Sequence, residues 1–128
     1  AVQAYFGVPR YWAFGEEMKI TVPIRLPSIL NCRLHWAVLN RVKKKQTEAV
    51  AICLHGRDLP PLPATITLTR VGKRRLDSDN LAASFKACQD QIARTYGVDD
   101  GSDSYVWEYR QRIGKDYAVE IEINPRGA

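Results

Sequence analysis

No stretch of the 128-residue chain approaches eighteen consecutive apolar residues, the least that a bilayer-spanning helix needs, and no basic-then-apolar leader opens it. The expectation is a soluble, cytoplasmic protein with no membrane partner. Cysteine is scarce: Cys32, Cys53 and Cys88 cannot all pair and form no CxxC, which argues against a disulfide framework and against a thiolate zinc site. They read as reduced core thiols. The two histidines, His35 and His55, lack ligand spacing, and His35 and Trp36 read as packing residues. Negative charge is also short, with 14 Asp and Glu against 19 Lys and Arg for a formal charge of +5. A balance of this sign favours a polyanionic partner.

What is present is periodicity. Residues 1 to 17, AVQAYFGVPRYWAFGEE, show neither a strand nor a helix period and read as an N-terminal arm or extension, or else as an ordinary first strand or loop. From Met18, the only methionine, apolar residues alternate through Ile20, Val22, Ile24 and Leu26, as in a half-buried strand whose Pro23 implies an edge or a bulge. After the Pro27-Ser28 loop, Trp36, Leu39, Val42, Ala49, Val50 and Cys53 fall near one face of a helix of about 20 residues. Gly56 and three prolines between Leu59 and Pro63 stop it.

Ala64, Ile66 and Leu68 alternate with threonines in a second strand that leads straight into a basic run. Leu81, Phe85, Cys88 and Ile92 then mark one face of a second helix, capped by Asp79 or Asn80 and closed by Gly97. Tyr105, Trp107 and Tyr109, a Gly114-Lys115-Asp116 turn, and Tyr117, Val119, Ile121 and Ile123 predict a hairpin. The order β-α-β-α-β-β predicts a single two-layer α+β domain over residues 18–128, with two helices packed on a mixed or antiparallel sheet.

The segment GKRRLDSDNL, Gly72 to Leu81, crowds three cations against two carboxylates one residue apart. Asp77 and Asp79 fall where a strand ends and a helix begins, and side chains two apart in extended backbone point the same way. A second acidic cluster, Asp99, Asp100 and Asp103, follows the other end of that helix. Carboxylates gathered in this way repel one another unless a divalent cation neutralises them, and oxygen ligands select Mg²⁺ or Mn²⁺. The flanking cations Arg70, Lys73, Arg74 and Arg75, with the Arg41 to Lys45 cluster that includes Lys43 and Lys44, can hold phosphates beside such an ion. Lys86, seven residues after Asp79, falls on nearly the same face of a continuous helix and can reach a phosphate near the metal. Each part alone has a plainer reading: Asp-x-Asp-Asn as a cap, Asp99-Asp100-Gly101 as a turn, and Lys43 to Lys45 as a solvated helix face.

In combination, Pro27-Ser28 with Asn31, the block Arg74-Arg75-x-Asp77-x-Asp79-Asn80-Leu81, a helix carrying Lys86, and Asp99-Asp100 after Gly97 resemble the RusA family of Holliday junction resolvases, widespread in bacteriophages and prophages. The resemblance covers roughly residues 18 to 124. It implies a homodimeric, Mg²⁺-dependent endonuclease of the bacterial or phage-host cytoplasm that resolves four-way DNA junctions in recombination and repair by paired symmetric nicks, with Mn²⁺ as a possible substitute ion. It further implies catalytic aspartates at Asp77, Asp79 and Asp100, with Asp99 the alternative to Asp100 as metal ligand, the family's lysine at Lys86, and the loop asparagine at Asn31 with Arg33 beside it on the DNA. Lys86 lies further from Asp79 than the family pattern has it, so the start of this helix must differ locally. Two rival readings are a catalytically silent junction or fork binder, and a metal-dependent nuclease acting on other branched or single-stranded DNA.

Overall fold

A computed structural model describes residues 17–27 and 36–126. The N-terminal arm, apart from Glu17, and the loop carrying Asn31, Arg33 and Cys32 lie outside the described residues. Seven elements follow one another: β1 (Met18–Val22), α1 (Trp36–Leu54), β2 (Ala64–Gly72), α2 (Ser78–Ser84), α3 (Lys86–Tyr96), β3 (Tyr105–Ile113) and β4 (Ala118–Pro125). They form one small α+β domain, with three helices against a mixed four-stranded sheet of order β1-β4-β2-β3.

Strand β2 is central, and every one of its residues except Thr65 is buried. It pairs parallel with β3, from Ala64 opposite Tyr105 to Gly72 opposite Ile113, and antiparallel with β4, Ile66 opposite Ile123 and Leu68 opposite Ile121. Parallel neighbours require a crossover, which α2 and α3 supply between β2 and β3. The predicted β3–β4 hairpin is therefore overturned, because β2 lies between the two strands. Skipping one strand means crossing about 10 Å, a span that the four residues 114–117 can cover. Gly114 makes the crossing possible: its N–H donates to the Gly72 carbonyl at 3.0 Å, and a Cβ there would stand 2.5 Å from Val71 Cγ1.

The second predicted helix is two helices. Phe85 closes α2 and opens α3 with φ −89° and ψ −3°, and its fully buried ring stacks on Tyr109 at 5.6 Å. Anchoring that ring under the sheet fixes the bend, and the apolar spacing Leu81, Phe85, Cys88, Ile92 survives it because all four remain buried. Gly97 ends α3 at φ 75°, as its position in the sequence predicts. Trp36, expected in the packing face of α1, is 69% exposed, since the buried residues of α1 are Gln46, Val50 and Leu54 in its later turns.

The core lies between the sheet and the helices and includes Ile20, Val22, Ile66, Leu68, Phe85, Cys88, Ile92, Val119 and Ile121. Cys53 and Cys88 are free thiols, and burial pushes the Cys88 thiol up to about 12, which leaves it inert. The opposite sheet face is polar, with Arg112 paired to Glu120 and Thr67 donating to Glu108. No helix among the described residues is long and apolar enough to cross a membrane. Gln46 is 2% exposed, and among the described residues neither amide atom of its side chain has a hydrogen-bond partner. Gln46→Met is expected to raise stability by about 1 kcal/mol in urea unfolding, whereas Phe85→Ala is expected to lower it by about 3–5 kcal/mol.

Candidate functional site

The basic run begins as strand β2 gives out. Arg70 is still in the strand and buried, while Lys73, Arg74 and Arg75 are exposed in the loop that follows. That loop is tied to its neighbours at two points. The Arg74 carbonyl accepts from Arg70 Nη1 at 2.7 Å, and Leu76 exchanges two hydrogen bonds with the Gln111 side chain of β3, 2.9 and 2.7 Å long.

Asp77, rather than Asp79 or Asn80, is the N-cap of α2. Its Oδ1 accepts from the Asn80 N–H at 2.9 Å and from Asn80 Nδ2 at 3.0 Å, satisfying a donor that the helix start would otherwise leave open. Asp79 stands in the first turn, where a negative charge suits the helix dipole. Both aspartates are exposed.

Lys86 opens α3. The break at Phe85 removes the continuous helix on which a shared face with Asp79 was expected, and the Lys86 ammonium turns to other carboxylates. It meets Asp90 Oδ1 and Asp100 Oδ2, each at 2.9 Å. Asp100 also accepts from Gln89 Nε2 at 3.1 Å, and its backbone carbonyl takes the Trp107 indole N–H at 2.9 Å. Tyr109 donates its hydroxyl to Gln89. The Asp99 carboxylate accepts the Gly101 N–H at 3.0 Å in its own turn.

The electrostatic consequences follow from these bonds. Hydrogen bonds from Lys86 and then Gln89 hold the Asp100 carboxyl below its ordinary value of 3.8, and bonds to Asp100 and Asp90 raise Lys86 above 10.5. Gln89, Asp90, Trp107 and Tyr109 are not among the residues that the sequence motif picks out. The signal was available: Gln89 and Asp90 stand three and four residues after Lys86, neighbours on a helix surface, and Trp107 and Tyr109 share the inward period of β3.

The fold thus brings Lys86 to Asp100 but does not gather all the acidic residues. Among the described residues, no group of three or more His, Cys, Asp or Glu side chains is placed to hold a metal ion. Carboxylate oxygens suit Mg²⁺ or Mn²⁺ as donors; Asp77 Oδ1 is engaged in the cap and Asp100 Oδ2 in bonds from Lys86 and Gln89, so an ion would have to be held by the other oxygens of these two residues and by Asp79.

Of the cations expected on DNA, Lys43 and Lys44 lie along α1, half-buried and exposed respectively. Arg25 links α1 to the basic loop. It lines one depression with Val42, Lys45 and Gln46 and another with Arg70, Lys73 and Arg74.

Lys86→Met is expected to return the Asp100 carboxyl upward toward 3.8 in an NMR titration. The Asp100 contribution to stability is present above 3.8 and fades as pH falls through its lowered folded value, and that of Lys86 is present below 10.5 and fades as pH rises through its raised one. Because the Lys86 side chain is 58% exposed, the change at pH 7 should stay under about 1 kcal/mol. Asp77→Ala is expected to cost about 1 kcal/mol through the lost cap, which Asp77→Ser should largely restore, both read by urea unfolding. In comparisons with known proteins, no family model, no curated protein and no solved structure matches this chain.

Proposed function

We propose that the protein is a structure-specific endonuclease that hydrolyses phosphodiesters of branched DNA, resolving four-way junctions by paired nicks as its resemblance to the RusA family implies. The observation that carries this reading is the contact between Lys86 and Asp100. These residues lie fourteen apart in sequence, both belong to the resembling motif, and they meet at 2.9 Å where α3 begins. The exposed cations Lys73, Arg74 and Arg75 precede that acidic turn directly, where a strand held by its phosphates would lie against the carboxylates.

In this reading the cations bind and orient the backbone. Lys86 and Gln89 keep Asp100 ionised and fixed, and Asp77 and Asp79 present the remaining carboxylates. Mg²⁺, or Mn²⁺ in its place, is the cofactor that all-oxygen ligands would select. A four-way junction has approximate two-fold symmetry, so a C2 homodimer would offer one site to each of two opposed strands.

A second reading, a junction or fork binder without catalysis, is favoured by one observation: Asp77 and Asp100 each already carry a structural bond, one capping α2 and the other accepting from Lys86 and Gln89. The two are told apart by incubating labelled four-way junction and matched linear duplex with Mg²⁺ or with EDTA. Nicking of the junction alone, dependent on Mg²⁺ and reduced at least about a hundredfold in Asp79→Asn, is the expected result. Asp79 makes no capping bond, so this substitution tests the chemistry with the helix start intact. Tight binding with no nick under any condition would establish the binder instead.

A further inference from the structure

Where the core ends beneath the basic loop, charge takes its place. The inward row of β2, Ala64, Ile66 and Leu68, continues into Arg70, and the inward row of β4 reaches back from Val119 to Tyr117 just before the strand. Arg70 and Tyr117, together with Arg25, Lys73 and Arg74, line a cavity of about 350 Å³.

Arg70 is the unusual member. It is 5% exposed, covered yet close beneath the surface, and its Nε and Nη1 donate to the carbonyls of Leu26 at 2.9 Å and Arg74 at 2.7 Å. Both acceptors are neutral. Among the described residues no carboxylate pairs with Arg70, nor with Arg25, Lys73 or Arg74. Burial first, and then the charge of Arg25, press the Arg70 pKa downward, but a guanidinium does not give up its proton, so the penalty for a buried, uncompensated cation remains. Gly72 leaves the room this requires, since a Cβ there would stand 2.7 Å from Arg70 Nη1. An arginine that served only to tie the loop would gain nothing from three further cations converging on it.

The occupant must therefore bring negative charge and several acceptors. The Tyr117 ring already carries Arg25 at 4.7 Å and Lys73 at 5.7 Å, which holds both cations at the cavity. A compact tetrahedral anion matches such a lining, because guanidinium forks address two of its oxygens at once.

We propose that this cavity binds a single phosphate group, with Arg70 as its fixed, buried donor and Arg25, Lys73 and Arg74 closing on the remaining oxygens. As the seat of a strand phosphate it rests on the nucleic-acid reading above; as a phosphate pocket it stands without it. Arg25 and Tyr117 belong to it, and Arg75, although adjacent in sequence, does not line it.

The test is an NMR titration of the full chain at constant ionic strength, following the arginine Nε–Hε resonances. The probes are inorganic phosphate and, separately, a 5′-phosphorylated and a 5′-hydroxyl dinucleotide. A saturable shift of the Arg70 resonance is expected, with affinity falling about tenfold or more in Arg25→Ala and Lys73→Ala. Lys19→Ala, which removes the same charge from the exposed β1 side chain opposite Glu122, should stay within about twofold of wild type. Arg70→Met should abolish binding; if it fails to fold, the two exposed substitutions decide the matter. Binding of inorganic phosphate and the phosphorylated dinucleotide alike supports a pocket that takes the free group, and binding of the dinucleotides alone, lost in the same variants, supports a strand phosphate. No saturable shift, or equal weakening by Lys19→Ala, overturns the proposal. A protein that binds phosphate here but nicks no junction keeps the pocket and loses the nuclease reading. One that nicks junctions while Arg25→Ala and Lys73→Ala bind phosphate as wild type does keeps the activity and loses the pocket.

Discussion

The burial of β2 on both faces governs the rest of the molecule. Its backbone is hydrogen-bonded on either side, by β3 in parallel and β4 in antiparallel register, and Ala64, Ile66 and Leu68 lie under the helices. A strand held this way cannot shift register without breaking two ladders and turning its apolar row out of the core. Whatever its C-terminal end carries is therefore delivered to a fixed place: Arg70 beneath the loop, three exposed cations, and then Asp77 at the cap of α2.

The second fixed point is Phe85. Its buried ring, stacked on Tyr109, bends the crossover between β2 and β3 and separates the acidic turn at Asp77 and Asp79 from the start of α3. The bend sends Lys86 toward Asp90 and Asp100 and leaves Asp79 exposed at the helix start. Tyr109 serves both halves of this arrangement, with its ring against Phe85 and its hydroxyl on Gln89, which in turn holds Asp100.

Charge is divided along the same edge. At the loop, Arg25, Arg70, Lys73 and Arg74 converge with no carboxylate among them. Toward the start of β3, Lys86 is flanked by two carboxylates and strengthens the ionisation of Asp100. An excess of cations around a buried arginine carries an energetic penalty that an anion would offset, whereas the Lys86 cluster is already balanced within the protein. This contrast sets the basic loop apart from the acidic cluster, whose lysine is already paired.

The local elements follow from the order of residues, because each depends on neighbours in the chain. Alternation from Met18 to Val22 and from Ala64 to Leu68 is that of observed strands, the apolar spacing from Leu81 to Ile92 is that of buried helical positions, and Gly97 takes the left-handed conformation that ends α3. The α+β class followed from their order. Tertiary structure alone decided which strands pair, since a four-residue connection fits a hairpin or a one-strand skip equally well until β2 occupies the space between β3 and β4. It also decided the bend at Phe85, since an i, i+4 apolar spacing is the same for a straight helix and a broken one. Lastly it decided the company of the charged residues, joining Lys86 to Asp100 across fourteen positions and Arg25 to Arg70 across forty-five, because contacts of that range are set by the sheet and its crossovers rather than by spacing along the chain.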